Sequence, residues 1–116
     1  TTFLCRLSYV LDSAKRKSLH ISAVFACNFV NHFYTLAADF LETSAIPFDV
    51  LRPLILETAQ KVQEMNPEAA QTGPAVRFDE NIINDHLLLL NDFPEHQELY
   101  KSISKSIFER HQEKNK

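Results

Sequence analysis

The sequence predicts an all-α fold, a helical bundle around one long central helix. Three observations point there. Only one glycine occurs in 116 residues, far below the roughly 7% of ordinary chains, so tight turns are few. From Ala14 to Thr43 there is neither glycine nor proline. Downstream, apolar residues recur three and four apart, which is the spacing of one helix face.

The elements are justified in chain order. Residues 1–11, TTFLCRLSYVL, read as a helix end followed by a short strand near 8–11. Asp12 or Ser13 supplies an N-cap. The long helix is expected over about 14–43, a span of roughly 45 Å at 1.5 Å per residue. The turn AIPF closes it. Asp49 caps a second helix near 50–65, with Pro53 in its first turn, where the missing N–H costs least. Its buried stripe is Leu51, Leu54, Ile55, Thr58 and Val62. A loop, NPEAAQTGPAVRF, leads to Asp79 as the cap of a third helix near 80–91. DFP ends that helix, and Pro94 opens a fourth near 95–112 with Leu99, Ile103 and Ile107 as its stripe. No repeat or low-complexity tract interrupts the chain.

Composition narrows the function. Hydrophobic residues make up 45% and the net charge is −3, so a packed core is expected and a nucleic-acid partner is not. Two cysteines, Cys5 and Cys27, are no disulfide framework. Cys27 reads as a small packed hydrophobe, and the location as cytoplasmic. No signal-peptide pattern opens the chain, and a first residue of Thr reads as a piece of something longer. Ser18 to Ala38 contains no charged residue, a length that could span a bilayer. His20, Asn28, Asn31, His32 and Thr35 lie inside it and are expensive in lipid. The expectation is a helix buried in protein, with no membrane partner.

Two places concentrate chemistry. On a regular helical wheel His20, Asn28, Asn31, His32, Thr35 and Asp39 fall within an arc of about 120°. A solvent face would carry Lys and Glu; amides and imidazoles suit an enclosed surface. Either these groups satisfy one another, with Asn28 meeting His32 and Asn31 meeting Thr35, or they line a ligand cleft. The second place is AQTGPAVRFD. Gly73 permits close backbone approach, Pro74 stiffens the residues after it, Thr72 offers a hydroxyl and Arg77 offers a fork for a carboxylate or phosphate. Asp79 is expected to cap the next helix and to be able to hold Arg77. His86 falls on the apolar face among Ile82, Ile83, Leu89 and Leu90, either as a satisfied core residue or reaching the preceding loop. Metal ligation is not expected: Glu-x-x-His repeats, HExxH and Cys-x-x-Cys are absent. GxGxxG is absent too, so no Gly-rich dinucleotide cradle is present.

The segments RKSLHISAVFACNFVNHFYTLA, FDVLRPLILET, QTGPAVRFDENIINDHLLLL and ELYKSIS together resemble one family, the C-terminal domain called domain of unknown function 2520. The resemblance covers about 12–108, with NFVNH and TGPAVRFD its most specific parts. In that family the domain follows an N-terminal Rossmann domain in NAD(P)-dependent oxidoreductases. Its fold is similar to the helical C-terminal domains of 6-phosphogluconate dehydrogenase and pyrroline-5-carboxylate reductase, which supply substrate-binding groups and a dimer interface. Its patterned positions match His20, Asn28, Asn31, His32, Thr72, Gly73, Pro74, Arg77, Asp79 and His86.

The resemblance implies a substrate-binding and dimerisation domain. Residues 1–11 would be the trailing edge of the missing Rossmann domain, and 12–116 the helical domain. His20, Asn28, Asn31, His32, Thr72, Gly73, Arg77 and His86 would bind an unknown small molecule, with Asn28 or His32 near the nicotinamide. Catalytic residues stay unassigned. No cofactor is expected in this chain, NAD(P) is implied for the full-length protein, and the isolated chain is expected to be inactive. The residues add an expectation of a homodimer: Phe25, Phe29, Phe33 and Phe40 give the long helix more apolar surface than three short helices can cover. The alternative is a non-enzymatic helical dimerisation or interaction module.

Overall fold

The computed structural model describes residues 12–114. The expected strand near 8–11 and the trailing edge assigned to 1–11 lie outside them. The regular structure of the described residues is all helical, with no strand among them. They fall into two compact units, one up to Val50 and one from Leu51 onward.

The first unit is the long helix and its exit. Helix α1 spans Ser13–Ala23, and the Asp12 carboxylate accepts from the Lys15 amide at 2.8 Å. The helix then passes through a six-residue π-helical segment, Val24–Phe29. It continues as α2, Val30–Glu42. The whole run, Ser13–Glu42, is long and apolar enough to cross a membrane by length and composition. The expected length is therefore right, but the expected regularity is not, and neither is the expected burial of this helix in protein. A π turn accepts hydrogen bonds five residues on rather than four, so it adds one residue to the helix without breaking it.

The exit is a Schellman closure. The Ile46 amide reaches back to the Leu41 carbonyl at 3.1 Å and the Ala45 amide to Glu42 at 3.2 Å. Ala45 occupies the left-handed position with φ 53°. Glycine is the usual occupant there because it has no Cβ to crowd the carbonyl. Within this unit Leu36 is the one buried hydrophobe among the described residues, and Tyr34 meets Phe48 edge-on with ring centres 6.5 Å apart.

The chain passes from the first unit to the second in a 3-10 turn, Phe48–Leu51. Helix α3 then spans Arg52–Glu64 with Leu51 at its N-cap. The N-cap position of α3 thus falls at Leu51 and not at Asp49, which sits in the 3-10 turn where the Val50 amide bonds the Pro47 carbonyl. A short helix α4, Pro67–Ala70, interrupts the expected loop. Pro67 presets the helical φ there, and the Ala70 amide bonds the Asn66 carbonyl at 3.1 Å. Helix α5 spans Glu80–Leu89, and α6 spans Pro94–Lys114. Gln97 on α6 donates to the Leu87 carbonyl on α5 at 2.9 Å, tying the two together.

The buried residues of this unit are Ala75 and Ile83. The stripe expected to be buried on α3 is not: Leu54 is 57% exposed and Val62 43%. A helical stripe is buried only where another surface lies against it, and periodicity alone does not say whether the unit supplies that surface.

Candidate functional site

The polar arc of the long helix is open. His20, Asn28, Asn31, His32 and Thr35 are all exposed. No side-chain hydrogen bond or ion pair joins any of them to another described residue. Mutual satisfaction in a crowded core is thus excluded; Asn28 does not bond His32, nor Asn31 Thr35.

The π turn changes how the arc is assembled. On a regular wheel His20 lies about 20° beyond Asn31, at the opposite edge from His32. One inserted residue rotates everything upstream by about 100° relative to the helix downstream. His20 then comes beside Asn28, Asp39 and His32, and the arc narrows to about 100°. Cys27 lies within the turn and is an exposed free thiol, which corrects its reading as a packed hydrophobe. Phe25 and Phe29 also belong to the turn and meet edge-on at 5.1 Å, both exposed to solvent.

In the second unit the loop Gln71–Asp79 winds on two left-handed residues. Gly73 has φ 106°, and a Cβ there would meet nothing within 4 Å. It is glycine for its backbone angle, not for crowding. Phe78 has φ 50°, which an aromatic residue adopts at a cost. Its ring is held against Phe108 on α6 at 5.3 Å. Between them the Asp79 amide bonds the Pro74 carbonyl at 2.9 Å, and Ala75 is buried beneath.

Arg77 and Thr72 are exposed, and neither side chain has a partner among the described residues. Asp79 occupies the N-cap position of α5, but its carboxylate caps nothing and holds no arginine. With ψ at 86° the residue is outside the extended geometry that aims a cap side chain at the first turn.

His86 corrects another expectation. It is exposed, as are Ile82 and Leu89; only Ile83 of that face is buried. Its Nδ1 lies 2.8 Å from the Tyr100 hydroxyl, with the rings perpendicular and 5.7 Å apart. Burial of the Tyr100 phenol pushes its pKa up. Sequence reasoning passed over Tyr100. The available signal was symmetry: His86 and Tyr100 stand nearly equidistant from the Asp92 turn that folds α6 back on α5.

A further open groove of about 490 Å³ is lined by Asn66, Pro67, Ser106, Ile107, Arg110 and His111. It contains none of the expected substrate-binding residues, and it mixes Glu68 with the arginine. Among the described residues no three metal-ligating side chains gather.

Among curated proteins none matches the chain. Among solved structures the chain is similar to a crystal structure described as a "putative NADP oxidoreductase" from Bacteroides fragilis, at 57% identity and a TM-score of 0.83. The match covers 85% of this chain and 38% of that one. The family profile described as "domain of unknown function (DUF2520)" matches residues 4–107. Nearly the whole chain is covered, and it belongs to this family.

Proposed function

We propose that this chain is the substrate-binding and dimerisation domain of an NADP-dependent oxidoreductase, cytoplasmic, acting on a small molecule and on neither nucleic acid nor membrane. The carrying observation is the 57% identity to a 38% portion of the chain described as a "putative NADP oxidoreductase". The dinucleotide would be held by a Rossmann domain preceding this one. The chain's own residues support that division: its lone glycine shapes a turn and no Gly-rich strand-to-helix cradle exists here.

The bound dinucleotide would supply or accept hydride. This chain would supply the other half of recognition. His20, Asn28, Asn31 and His32 offer donors and acceptors that no described residue uses. Thr72 and Arg77, beside Gly73, offer a hydroxyl and a guanidinium fork that suits a carboxylate or phosphate. His86 offers a ring nitrogen. The exposed face at Ile21, Phe25 and Phe29 would meet a second copy.

The test uses the full-length protein beside this isolated chain. Fluorescence titration with NADPH should show binding to the full-length protein and none to the chain. Turnover against a panel of small carbonyl compounds should then weaken in Arg77→Ala. A lost charge-assisted contact of about 1.5–3 kcal/mol raises KM by roughly 10–150-fold, with NADPH affinity unchanged. Equal NADPH binding by the isolated chain would overturn the division of labour.

A further inference from the structure

The His86–Tyr100 contact carries more than its distance. Each group has only the other as a side-chain partner among the described residues. Two protonation patterns could fill a 2.8 Å O···N contact: O–H to Nδ1, or Nδ1–H to the hydroxyl oxygen. They are unequal. A phenol is a far stronger acid than a neutral imidazole N–H, and an imidazole nitrogen is a far stronger base than a phenolic oxygen. The first pattern pairs the better donor with the better acceptor. In the second pattern the half-buried phenol O–H would have no acceptor among the described residues.

We propose that Tyr100 is a positioning residue that donates to Nδ1 of His86, fixes the neutral ring as its Nε2–H tautomer, and so presents an outward N–H to an oxygen of the substrate. The acceptor class is a carbonyl or carboxylate oxygen. Nε2 lies at the edge of the ring away from Nδ1, and His86 is exposed. The substrate clause rests on the function proposed above; the tautomer clause does not.

His111, on α6, is an internal control of opposite sense. Its Nδ1 lies 3.0 Å from the Ile107 carbonyl oxygen. A carbonyl only accepts, so that ring is held as Nδ1–H. One unit thus contains two histidines fixed in opposite tautomers by neighbours of opposite hydrogen-bond character.

Long-range proton–nitrogen NMR of the chain, at a pH where imidazoles are neutral, reads both. His86 should show a bare Nδ1 and a protonated Nε2, and His111 the reverse. In Tyr100→Phe, which removes only the hydroxyl, the two His86 nitrogen shifts should draw together as the tautomers mix. Unchanged His111 shifts will show that the fold survived. An already averaged His86 in the unmodified chain, an Nδ1–H form, or no change in Tyr100→Phe overturns the inference and leaves the oxidoreductase reading standing. Conversely, a full-length protein that binds no NADPH sinks that reading and leaves the tautomer result intact. In the active full-length protein His86→Phe should lower turnover at least tenfold; turnover equal to wild type overturns the substrate clause.

Discussion

Phe29 offers the most direct test of the proposed dimer surface. It lies in the π turn, 48% exposed, with Phe25 at 64% and Ile21 at 59% nearby in sequence. Full burial of a phenylalanine stabilises by roughly 2.5 kcal/mol, so covering the exposed half contributes about 1.2 kcal/mol. A two-fold interface contains the residue twice, giving about 2.4 kcal/mol, or about 60-fold in Kd, for Phe29→Ala. Phe29→Asp adds the desolvation of two carboxylates, several kcal/mol more, and should give monomer at micromolar concentration.

Sedimentation velocity over a dilution series reads both. The comparison is Leu88→Asp, on α5 and 73% exposed, which should leave association unchanged. A monomeric wild-type chain would refute the reasoning outright. A dimer that ignores Phe29 and dissociates with Leu88→Asp would place the interface on the other unit.

Three further outcomes are expected. Ala45→Gly should stabilise: relieving a left-handed alanine at φ 53° returns about 1–2 kcal/mol, offset by about 0.5–1 kcal/mol of glycine's extra chain entropy. The net is a melting temperature higher by a few degrees in circular dichroism, and a fall would contradict the assigned backbone. Asp12→Ala removes the 2.8 Å cap on the Lys15 amide and should cost about 1 kcal/mol, read by denaturant unfolding. For Tyr100 the folded-state pKa is raised, so its protonated phenol contributes stability that is full below the unfolded value of about 10 and lost as pH rises through the folded value. Difference absorbance against Tyr100→Phe should place its ionisation above that of a free phenol; a midpoint at or below it would be the contrary result.

The features legible in the sequence were those that local chemistry decides alone. Asp12 ahead of a charged helical start, Pro94 after DF, and the Gly73–Pro74 pair each force a backbone state whatever surrounds them. The long helix came from an unbroken run of residues that tolerate it. The four-residue helix at Pro67 was missed because PEAA is too short to show a period. Asp79 was assigned to the correct position but given the wrong task, since position depends on the following helix and capping depends on ψ. The α3 stripe and His86 failed for a common reason. A periodic apolar face predicts that something should cover it, not that the same unit does. Tyr100 needed the α5–α6 pairing before its distance from His86 in sequence meant anything.

The π turn sits between these two kinds of knowledge. Val24–Phe29 contains no glycine, proline or charge, so VFACNF looks like any other stretch of the helix. Its effect is nonetheless felt at His20, several residues away, because a single extra residue re-phases everything upstream by about 100°. Had the helix been regular, His20 would stand at the far edge of the polar arc beyond Asn31. With the insertion it joins the Asn28 and His32 side. A π turn has poorer hydrogen-bond geometry than the α turns flanking it, and such turns cluster at functional sites. Here the poorer geometry falls on the segment that contains Asn28 and gathers His20 toward it. The same segment turns Phe25, Phe29 and Cys27 to solvent. The proposed substrate face and the proposed dimer face are therefore coupled through six residues, and a substitution that straightens the turn must move both.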